Sequence, residues 1–193
     1  VSLFDLALGA ASKIPKDELV EIGGVIAATF SNERRFPQLS VAIASALGLN
    51  ANIPAFDIQL ACSAYPYAPY LAGRLAADTG RKILVLDGDI QSALSDPSDV
   101  STTPLFTDAM SATIVSAGEG NSSFVDFYSK SSDILSCEAL GPIKMDGFGV
   151  FSFVACEVVP FLKRFLAEAN EANIDAFVPH QANMYMVRQL ANS

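Results

Sequence analysis

The stretch "VEIGGVIAATF", residues 20–30, decides the fold class of this chain. It is a β-branched, nearly continuous apolar run, which suits a strand covered on both faces. On its N-terminal side, residues 3–13 carry an amphipathic helical pattern that Pro15 stops. On its C-terminal side, a helix is predicted after Pro37 in "PQLSVAIASALGL", with Gly48 near its end. A short strand at about 54–59 follows, then a helix through "YLAGRLAADTG" ended by Gly80, then the strand "KILVLDG". Helices and strands alternate, and alternation with apolar strands indicates an α/β fold whose parallel sheet is covered on both faces.

A loop rich in Ser, Asp, Pro and Thr at 92–104 leads to the strand-like "SATIVSAG" at 111–118. Residues 119–147 are poorly patterned, after which "FGVFSFVACEVVPFLKRFLAEANEAN" predicts a long amphipathic helix with Pro160 as a kink or break. The strand "IDAFVP" is expected to run into His180, and "NMYMVRQLANS" to begin another helix. The change of composition divides the chain into segments 1–118 and 119–193.

With 193 residues, 51% hydrophobic and 17% charged, the chain can bury a substantial core as one domain or part of a larger one. Its apolar runs fall short of the roughly 20 residues that span a bilayer, so no membrane association is expected. The N-terminus lacks a basic region and an initiator Met, and reads as an internal start. Three widely spaced cysteines, Cys62, Cys137 and Cys156, form neither a disulfide framework nor a metal motif, which fits a reducing, cytoplasmic setting without a metal. The net charge of -9 repels phosphate backbones and argues against nucleic acid as a partner.

Two positions could carry chemistry. In "FDIQLACSAYPYA" a strand ends at Cys62 and a helix begins soon after, a place where the helix dipole favours the thiolate. Cys62 could equally be one more small buried residue. His180 is the single histidine, so any Ser-His or Cys-His mechanism within the chain must use it; a merely hydrogen-bonded strand-end histidine is the alternative. Both fall at the C-terminal ends of predicted parallel strands, where open α/β sheets place their sites. Cys137, in an irregular segment, and Cys156, on the apolar face of a predicted helix, read as structural.

The segments "ACSAYPYA", "DPSD" (96–99), "LFTDAMSATIV" (105–115), "MDGFGVF" (145–151) and "VPHQAN" (178–183) follow one another in an order that resembles the β-ketoacyl-acyl carrier protein synthase III enzymes of the thiolase superfamily. The resemblance runs from about residue 3 to the end. It implies a thiolase-like layered αβαβα fold, incomplete in this chain, with residues 1–118 as most of the N-terminal half and 119–193 as the start of the C-terminal half. It implies decarboxylative condensation of an acyl thioester with a malonyl thioester, in fatty-acid or related biosynthesis. In that reaction Cys62 forms the acyl-enzyme, and His180 donates a hydrogen bond that stabilises the carbanion. Asn183, Gly147 and Phe151 match positions near the tunnel for the pantetheine arm, and Phe36 matches one reaching toward a partner subunit's acyl pocket. Acyl-coenzyme A or acyl carrier protein, and malonyl-acyl carrier protein, are then the substrates of a homodimer with no resident cofactor.

The chain departs from the resemblance at definite places. Val100 and Tyr185 stand where arginines of the tunnel mouth are expected, and neither replaces the bidentate contacts of Arg. The Gly-Asn motif that supplies a third catalytic residue would lie past Ser193. Pro66 and Pro69 stand close behind Cys62, and the second would interrupt a helix interior; a late start of that helix would weaken its dipole effect on Cys62. A non-catalytic partner subunit, or a Cys-His acyl transferase or thioesterase without condensation, are the competing readings.

Overall fold

A computed structural model describes residues 1–118, 125–139, 141–169 and 174–192. The chain divides into two compact units, the first comprising Val1–Ala93 and Phe106–Glu119, the second Leu94–Leu105 and Gly120–Ser193.

The first unit is built on β1 (Ile22–Ala28), β2 (Ala55–Ile58), β3 (Lys82–Asp89) and β4 (Ala109–Val115), which lie in the order β2-β1-β3-β4. β1 runs parallel to both β2 and β3, with Ile26 opposite Phe56 on one side and Val85 on the other. β4 pairs antiparallel to β3, so the sheet is mixed at that edge and not parallel throughout. All seven residues of β1 are buried. Its side chains alternate between two cores, which is why the run is apolar without a break. Val25 and Ala27, with Leu84 and Leu86 of β3, pack on α1 (Leu3–Ala11) and α3 (Leu39–Ala46). Ile26 and Ala28, with Ile83 and Val85, pack on α4 (Ala64–Thr79).

Pro15 does more than stop a helix. α1 closes at Ala11, and Pro15 stands as N-cap of a short helix α2 (Lys16–Val20). α4 begins at Ala64, well before the expected start, and contains Pro69. Pro66 is its third residue, where the amide has no intrahelical acceptor in any case, and Pro69 removes one hydrogen bond. The stripe Ala64, Ala68, Ala72 and Ala76, buried against the sheet, holds the helix across the proline. Gly80, at φ 66°, ends it in the left-handed conformation that glycine adopts without strain.

The second unit contains the antiparallel hairpin of β5 (Leu135–Cys137) and β6 (Ile143–Met145). The predicted long helix is interrupted: α5 (Gly147–Phe153) passes through a π-helical turn, Val154–Val158, into α6 (Val159–Glu168), with Pro160 in the first turn of α6. Its expected continuation over 170–173 lies outside the described residues. The segment at 125–130 is strapped to this helix: Tyr128 Oη donates to Glu157 at 2.6 Å, Lys130 pairs with Glu157, and Arg164 pairs with Asp126 at 2.9 Å. The wide π turn inserts a residue into the 3.6-residue period, and Cys156 is exposed instead of lying on an apolar face. Cys137 is exposed as well.

The expected strand at 174–179 does not form. A strand persists only when its backbone groups are paired, and residues 174–179 pair with neither described sheet. The final helix is realised as α7 (Met184–Ala191). Among the described residues, no helix is long and apolar enough to cross a membrane.

Candidate active site

Three parallel strands end at one edge of the first unit, and each feeds a polar segment into it. After β2 the chain enters a 3-10 turn, Ala61–Ser63, that runs directly into α4. Ala61 adopts φ 45°, the left-handed region that costs a residue with a Cβ about 1–2 kcal/mol. Local strain of this kind persists where the surroundings over-determine the backbone, and it places the next residue, Cys62, exposed at the head of α4.

The thiol of Cys62 is less acidic than an ordinary cysteine. Desolvation by the atoms packed around the sulfur is the largest cause; its own amide N–H opposes the rise, and the charges of Asp89 and Asp87 add to it. The sequence-based expectation of an acidified thiol is therefore corrected: α4 does begin early enough for its dipole to act, yet desolvation and two carboxylates prevail.

Those carboxylates come from the C-terminal end of β3. Asp89 Oδ1 accepts four hydrogen bonds, from Thr29 Oγ1 at 2.7 Å, Phe30 N at 2.8 Å, Ser31 N at 3.0 Å and Ser31 Oγ at 2.9 Å. It thereby fixes the segment leaving β1. Asp87 is half-buried, and its carboxyl is pushed up to about 6 by burial and by the neighbouring Asp89. Gly88 between them has φ 155°, and any Cβ there would strike the Ala109 carbonyl of β4. The sequence reading passed over both aspartates; the available signal was the polar "DGD" closing an otherwise apolar strand.

Phe36, also in the first unit, is 79% exposed ahead of α3. The other candidates belong to the second unit. His180 is exposed in the irregular segment before α7, and no hydrogen bond to its side chain exists among the described residues. Asn183 is the N-cap of α7, its side chain accepting from Met186 N at 2.9 Å. Gly147 is the first residue of α5, where a Cβ would meet nothing within 4 Å, so neither packing nor a strained turn requires glycine there. Phe151 of α5 stacks obliquely on Tyr185 of α7, ring centroids 5.8 Å apart. Tyr185, standing where an arginine was expected, thus joins α5 to α7 by aromatic packing. Among the described residues no group of three or more His, Cys, Asp or Glu is arranged to hold a metal.

The family described as 3-oxoacyl-[acyl-carrier-protein (ACP)] synthase III matches residues 56–133, a span that includes Cys62, Asp87 and Asp89. The β-ketoacyl-[acyl-carrier-protein] synthase III of Shewanella oneidensis is 31% identical over 190 residues, covering 90% of this chain and 59% of that protein. The crystal structure of 3-oxoacyl-[acyl-carrier-protein] synthase III from Aquifex aeolicus VF5 superposes with a TM-score of 0.87 at 25% identity, covering 100% of this chain and 65% of that one. Its counterpart from Pseudomonas aeruginosa PAO1 gives 0.83 at 27% identity, covering 100% and 64%. The chain thus spans about three fifths of the length of the curated relatives it matches. In sequence and in its thiolase-like α/β fold, the chain is β-ketoacyl-[acyl-carrier-protein] synthase III-like, and it corresponds to part of those proteins.

Proposed function

We propose that the chain is the nucleophile-bearing part of an acyltransferase that condenses an acyl thioester with a malonyl thioester, releasing CO2. The observation that carries this reading is Cys62, presented at the surface by the strained Ala61 directly ahead of α4, in a chain similar to synthase III enzymes. In the first half-reaction the sulfur attacks the acyl carbonyl, the C–S bond of the thioester breaks, and the proton from Cys62 ends on the departing sulfur, so that coenzyme A or a carrier protein leaves as its thiol. In this reading the Cys62 amide, which already acts on its own sulfur, holds the developing oxyanion. In the second half-reaction His180 donates a hydrogen bond to the malonyl thioester carbonyl while CO2 leaves. The resulting carbanion attacks the acyl-cysteine carbon, the new C–C bond forms, and Cys62 leaves as thiolate. Donors of this kind contribute roughly 3 to 4 kcal/mol each.

In this reading Asn183, Gly147 and Phe151 contact the pantetheine arm, and Phe36 reaches the acyl pocket of a partner in a homodimer. Support comes from the openness of the Gly147 backbone and from the exposure of Phe36. The raised thiol pKa and the engagement of Tyr185 with Phe151 favour a second reading, a partner subunit or transferase that does not condense.

Intact-mass measurement of the protein incubated with acyl-coenzyme A separates the two. The expected result is a single acyl adduct that disappears in Cys62→Ala and is consumed, with release of a β-ketoacyl product, when malonyl-acyl carrier protein is added. An adduct that survives Cys62→Ala removes the nucleophile assignment. An adduct that never condenses moves the conclusion to the transferase reading.

A further inference from the structure

We propose that Asp57 is a positioning residue for Phe36: one carboxylate near the end of β2 holds both ends of the short segment that carries the exposed ring. The inference rests on the reading in which Phe36 reaches a partner subunit's acyl pocket, but the first half of its test is independent of that reading. Side chains of a strand alternate, and Ala55, two residues before Asp57 on the same face of β2, packs against the core that contains Leu39 and Ile43 of α3. Asp57 thus comes to the start of α3. Its Oδ2 accepts from Leu39 N at 2.9 Å, and its Oδ1 accepts from Ser40 N at 2.9 Å. The helix has no other cap, because Gln38 at the N-cap position makes no capping hydrogen bond and the first amides of a helix find no acceptor within it. A carboxylate there also meets the positive end of the helix dipole.

The same carboxylate reaches the other end of the segment. Asn32 Nδ2 donates to Asp57 Oδ2 at 3.3 Å, and Oδ1 of that asparagine accepts from Arg34 N at 3.1 Å. Arg34 is therefore tied to Asp57 through one side chain and Leu39 is tied to it directly, with only residues 35–38 between them. Phe36 lies in that span. At 79% exposure its ring has little packing of its own, so the backbone beneath it decides where it stands. Asp89 already fixes residues 29–31, and Asp57 continues the support from Asn32 to Ser40. An aromatic ring presented on an ordered backbone meets a ligand or a partner surface without the cost of ordering the segment on contact.

Backbone order parameters from NMR relaxation form the first half of the test. The second is the rate at which acetyl- and octanoyl-coenzyme A acylate Cys62, followed by intact mass. In the wild type the amides of Arg35 and Phe36 should be as ordered as those of α3, at about 0.85, and Asp57→Asn should lower them below about 0.6. That variant keeps the shape of the side chain but gives up its charge and one of its two accepting oxygens. Asn32→Ala should loosen Arg35 and Phe36 while Leu39 and Ser40 stay ordered, and it decides the matter if the variant at position 57 fails to fold. Loosening confined to Leu39 and Ser40 would reduce Asp57 to a helix cap and overturn the proposal. A loosened segment should change the ratio of octanoyl to acetyl rates by about threefold or more. In a Phe36→Ala background that change should vanish, because an effect transmitted through the ring needs the ring. An unchanged ratio, or the same change in both backgrounds, overturns the positioning role. If the wild type forms no adduct with either thioester, the condensing reading fails, and the order parameters still decide whether Asp57 holds the segment.

Discussion

Asp89 concentrates four donors on one oxygen and ties residues 29–31 to the end of β3. Removing it leaves two backbone amides and two hydroxyls seeking partners, so Asp89→Ala should cost about 2 to 4 kcal/mol in denaturant unfolding. Asp87 behaves oppositely. Folding raises its pKa from 3.8 to about 6, so the charged form is disfavoured in the native state. That penalty is fully present above about pH 6 and absent below 3.8, and the stability contribution of Asp87 improves as pH falls through that window. Asp87→Asn is accordingly expected to stabilise the protein at pH 8 by about 1 to 2 kcal/mol, the shift being discounted for partial exposure. The gain should fade on acidification to about pH 4; a gain that is constant with pH would show that the side-chain charge is not its source. The position of Cys62 ahead of α4 was legible in the sequence because a strand-to-helix junction is a local signal. The aspartates were not, because their meaning depends on which face of β3 they share and on what three other segments bring to that face.

The helices and strands of the first unit follow from periodicity, since each buried run of β1 and β3 serves two cores and each helix covers one. Periodicity failed where a partner or a compensating contact decided the outcome. Residues 174–179 have strand-like composition but pair with neither described sheet, and α4 tolerates Pro69 because its alanine stripe is held on the sheet. At α7 one side chain carries two assignments that can be separated. Asn183 caps the helix through its carbonyl oxygen, so Asn183→Ala should cost about 1 kcal/mol by thermal unfolding, while Asn183→Asp should keep the cap. If the amide group also contacts the pantetheine arm, Asn183→Asp should raise KM for the acyl thioester at unchanged stability; an unchanged KM limits the residue to capping. Gly147→Ala provides the complementary case. Its Cβ meets nothing within 4 Å, so stability should stay within about 0.5 kcal/mol, and any loss of turnover reports a ligand approaching that backbone.

At the scale of the whole chain, the net charge of -9 works against every anionic substrate the proposed reaction would use. A phosphate-bearing thioester must be held by local cations, and the two positions where the resemblance places arginines are Val100 and Tyr185. They are not equivalent in the structure. Tyr185 is engaged with Phe151, so replacing it would also loosen α5 against α7. Val100 is 84% exposed in a turn whose shape is set by Asp99, which accepts from the Ser101 and Thr102 amides, so its side chain is free to change. Val100→Arg should therefore leave the fold intact and tighten coenzyme A binding about two- to fivefold at low ionic strength, the range of a solvent-exposed ion pair. Screening should erase the gain at roughly 1 M salt, where the Debye length is about 3 Å. Calorimetric titration at low and high salt reads both effects. A salt-sensitive gain places position 100 beside the phosphates and makes its valine a determinant of weak coenzyme A priming. No gain at either salt concentration would mean that the acyl donor approaches by another route, and would favour a carrier-bound donor whose contacts lie elsewhere.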